Sequence, residues 1–332
     1  MIYQNIDVHN ARELYAAEGG GVNWSRMPSA VCDTLEEWSR SILRDATGIE
    51  LRFVIESGEA VITIRALSDP AALTSVRVFH GDIQAGWQSH ETEFLPDGIC
   101  KIKIKRPRNI DKLFAIAESE RSPWSPEVVR VIPNRSFTLI CAEGDIRPPK
   151  AEETPKRKLL CYGSSITHGA NSYTQPDTWA SFVAHGLGYD LINLGMPGCC
   201  KMEEAIVSDL VSREWDMAIT ELGINVLAWE KDKIVTHAER TVRSFAEAGK
   251  PLIVVSPTYS SDDMEGGARA KAWRDALEDA CRKLGSQNVV YVNGTDLLGD
   301  GSLLSADLVH PSIYGARQIG ERLLKIAKEL TK

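Results

Sequence analysis

Positive charge is in short supply in this chain of 332 residues: 38 Lys and Arg stand against 46 Asp and Glu, a formal net charge of −8. Nucleic acid is therefore not an expected partner, because binding phosphates requires clustered cations. The one basic cluster, KIKIKRPR at 101–108, alternates Ile with Lys and reads as a strand with one solvated face. Long apolar runs are also missing, none approaching the ~18 residues of a membrane span. The opening MIYQNIDVHNARELY has neither a basic nor an apolar leader segment, so neither secretion nor a membrane partner is expected. Cysteine is sparse and unpaired in pattern: seven residues, no CxxC and no metal-like spacing. That excludes a disulfide framework, suits free thiols in a reducing, cytoplasmic compartment, and gives no reason to expect a metal or cofactor. No tract is of low complexity, and 43% hydrophobic with 25% charged residues describes a soluble globular protein. The length makes two domains the natural expectation.

The texture changes midway. Up to about residue 150 the chain offers short β-type runs, LRFVI, AVITIRAL, SVRVFHG, CKIKIK, VVRVIP and FTLICAEG, punctuated by turn residues. Runs of this length and spacing predict an antiparallel β-sandwich over residues 1–150, with one helix in DTLEEWSRSILRDA. DIRPPKAEETPKRK at 145–158, rich in Pro and charge, reads as a linker. Beyond it, strand-like runs KLLCYG, DLINLG, DMAITELG, PLIVVSP and NVVYVNG alternate with helical periodicity. Trp273, Ala276, Leu277, Ala280 and Leu284 form one apolar helix face, and Ile319, Leu323, Ile326, Ala327 and Leu330 another. Residues 151–332 are thus expected to form a parallel sheet between helical layers. Ligands of such sheets bind beyond the carboxyl ends of the strands.

The residues at those ends carry possible chemistry. Ser165, in YGSSITHG, sits where a strand turns into a helix, so the N–H groups of the turn are free to face a ligand. It can be a nucleophile, or the turn can be a helix cap or a phosphate loop, although GSSITHG lacks the P-loop Lys and neither it nor NLGMPG matches GxGxxG. A serine nucleophile needs a base and a group that orients the base. Asp307 and His310 in ADLVHPSIYG stand three apart, close enough for such a pair, and also compatible with a turn closed by His-Pro in which Asp307 caps the helix that follows. Gly198 in NLGMPGCC and Asn225 in ELGINV are candidate donors to a developing oxyanion, though both residue types populate turns everywhere.

Four such elements in this order resemble the SGNH, or GDSL-type, hydrolase family, whose blocks are matched by GSSIT, NLGMPG, LGIN and DLVHP over roughly residues 157–332. The resemblance implies a three-layer α/β/α domain with a five-stranded parallel sheet, preceded here by a jelly-roll-like sandwich. It also implies Ser165 as nucleophile, His310 as base, Asp307 as its orienter, and an oxyanion hole of Ser165, Gly198 and Asn225. Ser164 stands where the family usually has Asp, and Val226 where many members have Asp. The β-rich half is similar to the sandwich carried by a subset of the family that includes carbohydrate-esterase-like enzymes and an acyltransferase.

The expected activity is hydrolysis of a short acyl ester, acetyl above all, of a hydroxylated small molecule or oligosaccharide through an acyl-enzyme. An acyltransferase with the same triad is the alternative within the chemistry, and a carbohydrate-binding protein on a degenerate hydrolase fold the alternative outside it. The N-terminal half either binds sugar or walls the site, or serves as a structural partner. Other residues are given bland readings: Cys199 and Cys200 as buried small hydrophobes, His168 as a residue of the helix start, DDMEGG at 262–267 as a solvated loop rather than a metal site, and Trp87, Trp124 and Trp179 as core rather than sugar platforms.

Overall fold

A computed structural model describes residues 1–67, 76–86, 90–133 and 136–332. Packing divides the chain into two compact units. The first comprises Met1–Ser29, Leu43–Lys156 and Gly188–Asp190, and the second Ala30–Ile42, Arg157–Leu187 and Leu191–Lys332. The segment Ala30–Ile42 thus packs with residues more than a hundred positions later in sequence.

The first unit is antiparallel: β1 (Ile2–Tyr3), β2 (Ile6–His9), β3 (Glu13–Ala16), β4 (Val22–Ser25), β5 (Glu50–Ala66), β6 (Arg77–His80), β7 (Ile83–Gln84), β8 (His90–Phe94), β9 (Ile99–Lys105), β10 (Val128–Ile132) and β11 (Phe137–Arg147). The runs LRFVI and AVITIRAL, separate in the sequence reading, are one 17-residue strand, β5. The intervening ESGE makes no turn. Gly58 adopts φ +70°, and β11 shifts register between Glu143 and Asp145, so the polar residues are absorbed as a bulge with Ser57 donating to Asp145 at 2.7 Å. The first part of β5 pairs with β2 and β10, its second part with β9, and β11 pairs along much of its length. One core cluster draws Val8, Leu51, Phe53 and Val131 together with Ile62, Ile102, Phe137 and Trp24. In β9, Cys100, Ile102 and Ile104 are buried and Lys105 is exposed, as the Ile/Lys alternation requires. Residues 145–158 are more ordered than a linker: β11 continues to Arg147, whose guanidinium holds Glu153 through two bonds of 2.7 and 2.6 Å.

This unit also buries a charge network. Glu50 accepts from Nε of Arg52 at 2.8 Å and from Nε and Nη2 of Arg130 at 2.8 and 2.7 Å, while Arg52 forks onto Asp190 at 2.9 and 2.7 Å. Trp124, buried as expected, lies 4.8 Å from the Arg52 guanidinium and 4.2 Å from that of Arg130. Trp87 falls outside the described residues.

The second unit is built on a parallel sheet of β12 (Lys158–Gly163), β13 (Asp190–Gly195), β14 (Met217–Glu221), β15 (Leu252–Val255) and β16 (Val289–Val292), in the spatial order β13-β12-β14-β15-β16. β14 and β15 are buried throughout, which explains their nearly continuous apolar sequence, broken only by Thr220 and Glu221 at the end of β14. Helices Trp179–Leu187 and Ile313–Leu330 pack on one another as one layer, and Glu204–Ser212, Lys231–Ala246 and Ala268–Leu284 as the other. Gly320 permits close approach in the first layer, since a Cβ there would meet Phe182 at 2.8 Å. The helix Ala268–Leu284 buries Trp273, Ala276, Leu277 and Ala280, as its periodicity predicts. Because the chain leaves β12 for β13 on one side and returns for β14 on the other, the topological switch point lies between β12 and β14.

Among the described residues, no helix is long and apolar enough to cross a membrane.

The Glu50 network generates a prediction. Burial alone would raise its carboxyl, but Arg130 and then Arg52 outweigh that and hold it well below its ordinary 4.5. Its stabilisation is therefore present above pH 4.5 and lost as pH falls. Glu50→Gln, which leaves the buried Arg52 and the partly buried Arg130 short of a carboxylate, should cost about 3–5 kcal/mol near neutral pH, measured by urea unfolding.

Candidate active site

β12 ends on Gly163, where any Cβ would lie 2.2 Å from Thr167 Oγ1. Ser164 then caps a single helical turn, Ser165–His168, its hydroxyl accepting from Ile166 N–H at 3.1 Å, and Gly169 at φ +98° ends that turn. The cap reading of this turn is thus right for Ser164, which leaves Ser165 at the first helical position, 7% exposed.

His310 reaches this serine from 145 residues away, with Nε2 2.7 Å from Ser165 Oγ. Its Nδ1 lies 2.8 Å from Asp307 Oδ2. With Nδ1 protonated and donating to the carboxylate, Nε2 is the acceptor of the serine proton. The pair fits within four residues because Leu308 adopts φ +58°, turning the chain so that Asp307 Oδ1 also accepts the N–H groups of Val309 and His310 at 3.0 and 2.9 Å. A bond from Ser305 N–H to His310 carbonyl and the bridge between Leu304 and Pro311 close the base of the turn. Partial burial would raise the Asp307 carboxyl, but the His310 and Val309 N–H groups, the imidazole and Ser305 outweigh it and hold it well below the ordinary carboxylate range. Asp307 therefore serves the turn and the imidazole and does not cap the helix that follows, whose N-cap is Ser312, accepting from Gly315 N–H at 3.2 Å.

The NLGMPG loop is fastened to the nucleophile turn. Asn193 donates to Thr167 carbonyl at 3.0 Å and accepts from Gly195 N–H at 2.8 Å, and Met196 N–H donates to Gly163 carbonyl at 2.8 Å. A Cβ on Gly195 would come within 2.1 Å of His168 N, so only glycine allows the approach. Gly198 follows at φ +68°. Asn225, after Gly223 at φ +105°, accepts from Cys200 N–H at 3.1 Å through Oδ1. That bond fixes the amide and leaves its donating nitrogen as the end available to a ligand. Ser165, His310 and Asp307 are therefore in direct contact, while Gly198 and Asn225 sit on loops bonded to one another and, through Met196, to the nucleophile turn.

A residue that the sequence reading passed over lies beneath them. Glu221, the last residue of β14, extends a buried carboxylate across the switch point. Its Oε2 accepts from Ser164 N–H at 2.9 Å, Ser164 hydroxyl at 2.6 Å and Thr167 hydroxyl at 3.1 Å. Burial raises its carboxyl, and these bonds only partly oppose the rise. The usual family Asp is absent at position 164, and here a carboxylate on the neighbouring strand braces the same turn. The available signal was an acidic residue closing an otherwise apolar run, DMAITE, next to LGIN.

Other candidates are accounted for. Cys199 and Cys200 are buried, and burial pushes the Cys200 thiol well up. Trp179 is buried and donates to Ile166 carbonyl at 3.0 Å, behind the turn. In the acidic run, Asp262 is taken by Arg269 and Ala270 N–H, and Asp263 by Arg274.

A serine turn at the end of β12, an imidazole–carboxylate pair on a late loop and the two loops bearing Gly198 and Asn225 make up the candidate site of this α/β/α unit. The model of the GDSL-like lipase/acylhydrolase family matches residues 156–328, just over half of the chain, and the protein belongs to that family. Among solved structures, the salicylyl-acyltransferase SsfX3 from a tetracycline biosynthetic pathway is similar at 17% identity and TM-score 0.72, covering 98% of this chain and 96% of that one. The family two carbohydrate esterase from Clostridium thermocellum, solved with cellohexaose, is similar at 14% identity and TM-score 0.55 over 98% of both chains. The family two carbohydrate esterase from Cellvibrio japonicus gives 12% and 0.54 over 99% and 96%. At these identities the likeness is one of fold, and it spans both units. None of the curated protein sequences compared matches the chain.

Because Glu221 is raised in the folded state, the fold favours its neutral form, and that contribution is lost as pH climbs from 4.5 through its raised value. Glu221→Gln removes the titration. In urea unfolding at pH 5 and pH 8, the stability of the variant relative to wild type should increase with pH.

Proposed function

We propose that this protein is a serine esterase that releases a short acyl group, acetyl in the first instance, from a hydroxylated small molecule or carbohydrate. The observation that carries the reading is the continuous contact Ser165–His310–Asp307, at 2.7 and 2.8 Å, at the carboxyl end of β12.

In the proposed mechanism, His310 Nε2 takes the Ser165 proton as Oγ attacks the acyl carbon. The N–H groups of Ser165 and Gly198 and the amide of Asn225 receive the oxyanion. The imidazolium then gives its proton to the departing alcohol, which leaves an acyl-enzyme, and water repeats the sequence. Asp307, held ionised by its own turn, stabilises the imidazolium and fixes its tautomer. An alcohol in place of water would yield transfer, which added alcohol reveals as a second product. Carbohydrate is proposed as a substrate class because similarity to the two carbohydrate esterases runs the length of the chain. The seven cysteines, all free, fit a reducing compartment such as the cytoplasm.

The test is hydrolysis of p-nitrophenyl acetate with mass spectrometry of the protein. Ser165→Ala should lose about 10⁴-fold or more in kcat and form no acyl adduct, and Asp307→Asn should lose about 10³- to 10⁴-fold with the adduct still on Ser165. Ser164→Ala removes a cap and a Glu221 contact, so it should lose about 1 kcal/mol of stability while keeping the adduct. Full activity in Ser165→Ala overturns the reading.

A further inference from the structure

A tryptophan from the early part of the sequence stands beside the proposed oxyanion loop. Trp38 belongs to the helix Glu37–Ile42, within the segment Ala30–Ile42 that packs with the second unit. Its Nε1–H donates to Pro197 carbonyl at 3.2 Å. A Cβ built on Gly198 would lie 3.5 Å from the same nitrogen, so the indole rests against the residue proposed to offer its N–H to the oxyanion. An ion pair one turn away, Lys201 Nζ to Glu36 Oε2 at 2.7 Å, ties the other end of the loop to the residues before the helix. Despite this fastening, Trp38 is 58% exposed.

The combination is informative. Trp179, Trp215 and Trp273 of the same unit are buried, the usual fate of so large an apolar side chain. Trp38 instead has its one polar atom satisfied by the loop and its position fixed, while its carbon surface stays in water. With the N–H committed, that surface offers a ligand no hydrogen bond. What it offers is a flat, polarisable face, complementary to the C–H face of a pyranose or to an arene.

We infer that Trp38 is a substrate-binding shelf at the mouth of the active site, and that it takes a ring carried by the alcohol portion of the ester. The inference rests on the esterase reading. An acetyl group bonded to Ser165 is too small to extend past the oxyanion loop, so a ring that reaches Trp38 belongs to the alcohol. The shelf would favour cyclic alcohols over open-chain ones by stacking, without specifying individual hydroxyl groups.

The experiment holds the acyl group at acetyl and compares ethyl acetate, phenyl acetate and methyl 6-O-acetyl-glucoside with wild type, Trp38→Ala and Trp38→Phe. Ethyl benzoate serves as an ester with its ring on the acyl side. The ratio of kcat/KM for a ring acetate to that for ethyl acetate should fall roughly tenfold in Trp38→Ala and be largely restored in Trp38→Phe, which keeps a ring face but lacks the N–H. Dependence confined to phenyl acetate or to the glucoside identifies the ring as arene or sugar. Equal loss in both variants on every ester would mean that Trp38 only braces Pro197, and would overturn the shelf. Selective loss on ethyl benzoate would place the ring on the acyl side and also overturn it. Labelling of Ser165 by a fluorophosphonate is followed in parallel. Labelling that persists while the ratio ignores residue 38 rejects the shelf alone, whereas wild type that is neither labelled nor active rejects the esterase reading and the shelf with it.

Discussion

Three donors converge on one buried oxygen of Glu221, and the arrangement above it depends on that convergence. The turn carrying Ser165 is a single helical turn, too short to hold its own shape in water. Its cap residue is pinned from below through both its N–H and its hydroxyl, and Thr167 is pinned one turn further on. The serine between them inherits a fixed direction. His310 then meets an oxygen whose place is set by the sheet and not by the loop that carries the base.

The bracing has an electrostatic cost that the topology limits. A carboxylate buried at the end of a parallel strand is disfavoured, and burial indeed pushes Glu221 toward its neutral form. At the switch point, however, the chain leaves two strands in opposite directions, and a side chain can cross between them without meeting a connecting helix. The same opening admits the NLGMPG loop, whose glycine at 195 lets its backbone lie against that of His168. Close backbone approach and hydrogen bonds join the burial of Met196, Cys199 and Val226 in holding the loops together.

The legible and illegible parts of the molecule divide along the range of the interactions involved. Periodicity exposed the parallel strands and the faces of the long helices, because burial on one or both sides leaves a pattern a few residues long. Asp307 and His310 were readable as a pair because their geometry is set within one turn. Ser165 could not be separated from a cap by local sequence, since the cap is its neighbour, and only the order of the four blocks decided for it. The bent strand β5 was misread as two strands because ESGE has the composition of a turn, while its bulge is imposed by pairing with β11. Glu221 and Trp38 left fainter traces still: each acts on a residue dozens or hundreds of positions away, and composition carries no record of such a partner.

The 145 residues between Ser165 and His310 also order events in time. A ribosome that has just released the nucleophile turn must translate four further strands and most of the helical layers before the imidazole emerges. The Glu221 brace, only 57 residues downstream of Ser164, is available much earlier. Since domains fold largely as they are synthesised, the growing polypeptide can shape and support its serine long before the proposed base is made. On the proposed roles, the base joins a site whose sheet and whose partner helix Trp179–Leu187 have already been made.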